Sequence, residues 1–144
     1  MPAETPPPAE TRLDALLAGM RPRRMPGQYA FVCLPGGSAI PAEALASFRE
    51  REGLTLVLPL AEAESIGCEI MLRAAWIVLE VNSSLEACGF TAAFSRALGE
   101  AGIACNVLAA VHHDHLFVPI EQADRAMQVL HTLQAQAGAD VRGR

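Results

Sequence analysis

Residues 76–119 read WIVLEV NSSLEACG FTAAFSRALGEAG IACNVLAAV HHDH LFVP when divided where the pattern changes. A nearly continuous apolar run ends at Val81 and a polar loop, Asn82–Gly89, follows it. Phe90, Ala93, Phe94, Ala97, Leu98 and Ala101 then recur at spacings of three and four, predicting a helix over Phe90–Ala101 that Gly102 closes. Two more strands, Ile103–Val111 and Leu116–Pro119, are joined by His112–His115, a connection short enough for a hairpin. Where the first strand hands over to the helix, backbone N–H groups have no intrahelical partner and can be offered to an anion such as a carboxylate. The stretch reads as a small-molecule recognition site.

Upstream, Leu13, Leu16, Leu17 and Met20 have helical spacing, and the helix they predict stops at Arg21-Pro22. Arg21, Arg23 and Arg24 read as a solvated loop before a strand at Gln28–Leu34. Pro35-Gly36-Gly37-Ser38 is a flexible loop, and Pro41 suits the first turn of a helix over Ala42–Arg51 that Gly53 caps. A strand at Leu54–Leu58, a helix at Leu60–Ile66 closed by Gly67, and a long strand at Met71–Val81 follow. Downstream, Ala123, Met127, Leu130 and Leu133 predict a last helix over Glu121–Ala137, with Gly138 after it. Residues 1–11 hold four prolines and no apolar period, and are expected to be disordered.

An internal echo runs through this order. LVLPLAEAE (56–64) matches LFVPIEQAD (116–124) at an offset of 60 residues, each copy giving strand, proline and an acidic helix start. Tyr29–Leu34 corresponds in role to Trp76–Val81 at an offset of 47. The chain therefore reads as two units, a full one and an abbreviated one that omits the middle strand.

Composition narrows the function classes. With 144 residues, 51% of them apolar, the chain makes one compact domain or two very small ones sharing a core. A net charge of −5, a pI near 5.3 and the absence of lysine argue against nucleic acid as a partner. No apolar run is long enough to span a membrane, and the acidic, proline-rich start is the opposite of a secretory signal. The expected setting is the cytoplasm. The four cysteines form no CxxC or other close pair, so reduced thiols are expected, with no disulfide framework, no zinc site and no cofactor.

The candidate chemistry centres on the polar loop. Asn82 can donate and accept, which suits a ligand carrying both an ammonium and a carboxylate. Ser83 and Ser84 can bond that ligand or cap the helix. Gly89 allows close approach, so backbone N–H groups at Gly89 and Phe90 would face the carboxylate, while the Asn106 amide could hold the amino group. His112-His113-Asp114-His115 supplies ingredients for a metal site, but a turn in which Asp114 bonds its own backbone explains the same residues with fewer assumptions. A hydrolase would need Ser83 or Ser84, a histidine and Asp114 in one place, and no G-x-S-x-G elbow is present.

Strand, helix, strand, strand, helix, strand is the split βαβ order of the ferredoxin-like α+β class. With the loop from Val81-Asn82 to Gly89, the Ala101-Gly102-Ile103 stretch with Asn106, and the return Asp114-His115-Leu116-Phe117-Val118, the chain resembles the ACT domain family of amino-acid-binding regulatory modules. The resemblance is sharpest over residues 76–119, and the narrower likeness to short stand-alone double ACT proteins covers roughly residues 12–135. With FREREGLTLVLP (48–59), the pair of units resembles the tandem ACT modules of aspartokinase regulatory regions and of short stand-alone double ACT proteins. Two departures are plain: Ala87-Cys88-Gly89 replaces the usual Asp/Asn-x-Pro-Gly loop ending, and Ala104 and Cys105 displace Asn106 from the usual G-I-N.

What the resemblance implies is a βαββαβ ACT fold in two units: an abbreviated one at 12–70 and a full one at 71–138, between tails at 1–11 and 139–144. It further implies a non-catalytic regulatory protein whose ligand, an amino acid, touches Asn82, Ser83, Ser84, Cys88, Gly89, Phe90, Asn106, His113 and Asp114. Exposed edge strands suggest a homodimer. The alternative is a structural or protein-interaction module in which the loop is merely a capped helix start.

Overall fold

The computed structural model describes residues 3–6 and 8–144; Met1, Pro2 and Pro7, within the stretch expected to be disordered, lie outside the described residues. In order, the chain forms α1 (Leu13–Gly19), β1 (Pro22–Arg24), β2 (Tyr29–Leu34), β3 (Ala46–Arg49), β4 (Leu54–Pro59), α2 (Leu60–Ile66), β5 (Leu72–Leu79), α3 (Phe90–Glu100), β6 (Asn106–Ala109), β7 (Asp114–Pro119), a 3-10 turn (Ile120–Gln122) and α4 (Ala123–Arg142).

β5 is the strand on which both units depend. Its start pairs with β2, Phe31 against Leu72 and Tyr29 against Ala74, and its end pairs on that same side with β1, Pro22 against Leu79. Along its other side it pairs with β7 from Ala74 to Leu79. The result is one antiparallel sheet in the order β3-β4-β2-β5-β7-β6, with β1 beside the end of β5. In the first unit β5 is the closing strand; in the second it is the opening strand, and β1 supplies the close. This is a ferredoxin-like order in two ACT-like units that share a strand.

All helices cover one face. Ala75, Ile77 and Leu79 of β5 and Leu116 and Val118 of β7 pack against Leu16, Phe94, Leu98 and Leu130 of α1, α3 and α4. The period of two puts Ala30 and Val32, with Leu54, Leu56 and Leu58, on that same side under Ala63 of α2. Among the described residues the opposite face carries no helix. Phe31, Val57, Trp76 and Phe117 lie there, and the sheet curls until Phe117 is only 1% exposed.

The repeat holds at its end and shifts at its start. β4 and β7 are offset by 60 residues, share one burial pattern, and leave through prolines of nearly equal backbone angles, −53°/138° at Pro59 and −51°/136° at Pro119. Pro59 faces Tyr29 and Pro119 faces Ala74, so the opening strands correspond at 45 residues and not at 47.

Several expectations are corrected. The helix expected over Ala42–Arg51 is instead the strand β3, paired with β4 from Ala46–Val57 to Arg49–Leu54. The first unit therefore keeps its middle strand and lacks its first helix. Gly53 ends no helix: it turns the β3–β4 hairpin, where an added Cβ would stand 2.5 Å from the Leu34 carbonyl oxygen. Arg23 and Arg24 belong to β1, with Arg23 on Glu80 at 3.0 Å and Arg24 on Asp124 at 3.0 Å. At the other end, α4 continues through Gly138 to Arg142.

Candidate functional site

The Asn82–Gly89 loop leaves β5 and closes on itself and on the start of the chain. The Glu10 N–H donates to the Asn82 carbonyl at 2.8 Å, and the Ser84 N–H donates to the Glu10 carbonyl at 2.9 Å. Part of the stretch expected to lack structure is thus docked on the loop. The Ser84 hydroxyl accepts from the Glu86 N–H at 3.1 Å, an internal loop bond and not a cap on α3. Gly89 is the N-terminal flank of α3 at φ +92°, and a Cβ there would meet Leu13 of α1 at 3.3 Å. Close packing of α1 and a positive φ both call for glycine here.

Ser83 and Asp114 form a buried pair. The Ser83 hydroxyl donates to Asp114 Oδ2 at 3.1 Å, and the two residues are 7% and 4% exposed. Burial pushes the Asp114 carboxyl above the ordinary carboxylate range, while the Ser83 bond and then the charges of His115 and His113 pull it partly back. Asp114 therefore bonds the loop, where its own backbone was the expected partner. Serine bonded directly to the acid is a clamp and not the serine–histidine–acid sequence of a nucleophile. The Ala110 N–H donates to the His113 carbonyl at 3.0 Å and closes the β6–β7 turn. Among the described residues no group of three or more His, Cys, Asp or Glu side chains could hold a metal ion.

The structure divides the remaining expected site residues. Ser83, Ser84, Phe90 and Asp114 surround an inner pocket of about 60 Å³, and Phe90 is a core side chain packed edge-on to Phe94 at 5.2 Å. Asn82 and His113 line an outer cleft of about 810 Å³ with Ala3, Glu4 and Pro6 of the N-terminal arm. Cys88 is exposed on the loop. Asn106 is not brought to the loop: it opposes Phe117 on the helix-free face, at the end of β6 away from Ala109, which opposes Asp114. The two residues between Ile103 and Asn106 displace it along the strand.

A further cavity was hidden from the sequence by the helix expected there. The loop that leaves β2, Pro35–Ser38, stands in the first unit where Glu80–Ser83 stands in the second, at the same 45-residue offset. With no helix after it, this loop borders a cavity of about 600 Å³ together with Ile40, Arg49, Glu50 and Gly53. Arg49 and Glu50, at the end of β3, both line it, and the Thr55 hydroxyl donates to Glu50 Oε1 at 2.6 Å and orients it. The alternation of Ala46, Phe48 and Glu50 against Ser47 and Arg49 was the available signal for a strand.

Comparison with known proteins follows this division. Two family models described as ACT domain match residues 8–74 and 72–132, and their overlap falls on the part of β5 that pairs with β2. A Vibrio cholerae protein of unknown function, described as a possible transport protein, is 43% identical and superposes with a TM-score of 0.75, over 85% of this chain and 95% of that one. An Agrobacterium tumefaciens protein is similar in fold at 17% identity and TM-score 0.69, over 80% and 89% of the two chains. The regulatory subunit of aspartate kinase from Thermus flavus shares the fold at 14% identity and TM-score 0.55, over 80% of this chain and 96% of that one. No curated protein matches the sequence.

Proposed function

Because this chain belongs to the ACT domain family, we propose that it is a non-catalytic regulatory protein whose tandem units bind an amino acid. The observation that carries the reading is the cavity of about 600 Å³ at the exit of β2, whose lining includes both Arg49 and Glu50. A free amino acid carries a carboxylate and an ammonium, and a lining that holds a guanidinium and a carboxylate complements it. The volume leaves room for a side chain. The corresponding exit of β5 offers Asn82 and His113 to the outer cleft, and this is the second seat we assign. Ser83, Ser84, Cys88, Gly89, Phe90 and Asp114 support it from the loop side. The inner pocket, about 60 Å³, is too small for an amino acid.

Binding would favour one packing of the arm and loops over another, which is how such a protein would signal. We infer a homodimer, since β3 and β6 end the sheet as outer strands, and a cytoplasmic setting, consistent with four free cysteines. No helix among the described residues is long and apolar enough to cross a membrane.

Thermal shift against the twenty amino acids tests the reading, because a ligand that prefers the folded state raises the melting temperature. The expected result is a response to a small subset that Arg49→Ala removes and Asn82→Ala weakens. No response to any amino acid, with both variants melting like the parent, would replace it with a structural or interaction module.

A further inference from the structure

β3 and β6 stand at opposite ends of the strand order, and residues of both border one cavity on the helix-free face. Leu45 and Ala46 from one side and Leu108 from the other enclose a cavity of about 390 Å³ whose floor is Trp76, His115 and Phe117. This cavity is separate from both seats assigned above and differs from them in chemistry. Its floor is aromatic: Trp76 lies nearly parallel to Phe117, at 14° and 6.4 Å between centroids, and edge-on to Tyr29 at 5.3 Å. No Asp, Glu or Arg lines it.

Its polar side chain is fixed. The Trp76 Nε1–H donates to His115 Nδ1 at 3.1 Å, so Nδ1 is the bare nitrogen and Nε2 carries the proton. Burial, with the charge of His113 adding to it, holds the imidazole below its ordinary pKa, while Asp114 pulls the other way. The cavity thus presents flat aromatic walls, one N–H donor and no charge. A zwitterion or a carboxylate placed there would leave its charge unpaired, which is costly away from water. A neutral ring with one acceptor atom suits the aromatic side chains and the imidazole N–H, and the volume suits a one- or two-ring compound.

We propose that this cavity is a further binding site, for a neutral planar aromatic compound carrying a hydrogen-bond acceptor, with its ring beside Trp76 and Phe117 and its acceptor on the Nε2–H of His115. The site does not depend on the amino-acid reading, since it shares no residue with the Arg49–Glu50 cavity.

Trp76 is the single tryptophan, so its indole N–H gives one isolated resonance in a nitrogen–proton correlation spectrum of the full chain. Quinoline, naphthalene and benzoate serve as probes. Quinoline is expected to move the Trp76 resonance saturably, naphthalene to bind about tenfold more weakly for want of the hydrogen bond, and benzoate to leave the resonance in place. Leu108→Arg, at a position 39% exposed, is expected to abolish the shift without unfolding the protein. His115→Phe is expected to bring quinoline down to the level of naphthalene. A resonance unmoved by quinoline at its solubility limit, benzoate binding as well as quinoline, or an undiminished shift in Leu108→Arg would each overturn the proposal. So would a quinoline shift that appears only on dilution below the point at which a dimer dissociates, because the cavity would then be filled by a second copy of the chain.

Discussion

Deleting one hydroxyl, in Ser83→Ala, tests how the β5 exit loop is held. The Ser83 hydroxyl donates to Asp114 Oδ2 at 3.1 Å with both residues almost fully buried. Asp114 opens β7, so the bond ties the loop to the sheet beside the Asn82 and Ser84 backbone groups that hold Glu10. The variant leaves a buried carboxylate without this donor, and a hydrogen bond to a charged group is worth about 1.5–3 kcal/mol. A loss of about 2 kcal/mol at neutral pH corresponds to a fall of about 4–8 °C in Tm for a chain of this size.

The pH dependence gives the claim its sign. Burial, the largest influence on Asp114, raises its folded-state pKa, so the folded protein takes up this proton before the unfolded chain does as pH falls. Asp114 therefore costs stability at neutral pH and returns it on acidification through its raised folded pKa toward the ordinary carboxylate value. Without Ser83 the folded pKa rises further. The gap between variant and parent should be widest at neutral pH and narrow as Asp114 protonates in both. Urea melts at a series of pH values, compared at equal slope, measure this gap, and Asp114→Asn in the Ser83→Ala background should recover much of it. A gap below about 0.5 kcal/mol, or one that does not change with pH, would refute the assignment of a buried ionised carboxylate to the clamp.

Other expectations follow from single positions. Gly53→Ala places a Cβ 2.5 Å from the Leu34 carbonyl oxygen and 2.9 Å from Cys33 Sγ. It should lower the urea midpoint by the equivalent of about 2–3 kcal/mol. His115, held below its ordinary pKa of 6.5 chiefly by burial, should stay neutral in an NMR titration where free histidine is half protonated. Its contribution to stability is present above that value and is lost as pH falls through the folded pKa; Trp76→Phe, which removes the donor to Nδ1, should move the midpoint up. Burial pushes the Cys105 thiol to about 11, so native alkylation at neutral pH should spare it while labelling the exposed Cys33 and Cys88, as mass spectrometry would show.

The legible parts of this fold are those where local pattern and tertiary demand agree. Leu60–Ile66 and Phe90–Glu100 combine helical spacing with glycine at an end, and both form where their sequences place them. β4 and β7 carry the repeat because each must bury one face in full and leave through a proline. The stretch AEALASFRER (42–51) failed for the opposite reason. Its alanines, glutamates and arginines favour helix by weak intrinsic preference, and pairing along β4 outweighs it. That misplacement also hid the β2-exit cavity, since a helix there would have filled it. β1 was missed because three residues with one proline and two arginines show no period, although proline and charge are what an outer strand carries. At the site, the polar residues of the loop were legible as a group, but their partners were not. Whether Asp114 turns to its own backbone or to Ser83, and whether Asn106 faces the loop or the aromatic floor, depends on a register that one residue of slip would reverse.

The sharing of β5 constrains how a bound ligand could be felt. In paired modules joined by a linker, a ligand can act by rotating one unit against the other about that linker. Here the residues that close the first unit, Leu72–Ala74, run without a break into those that open the second, Ala74–Leu79, and both flanks of the strand are paired. Rotation at that junction would break ladder bonds on both sides and expose Ala74, Ile77 and Leu79, which are fully buried. Such a strand transmits position and does not bend. The parts free to respond are those attached at its exit: the Glu10 arm, held to the loop by two backbone bonds, and the His112–His113 turn across the outer cleft. Two backbone bonds are a small fraction of the stability of the sheet, so the arm can be released or tightened by a ligand of ordinary affinity while the units stay fixed. On the proposed reading a ligand would therefore act on an arm held to a rigid frame, and hydrogen exchange should show ligand-dependent protection at Glu10 and Ser84 with none at β5.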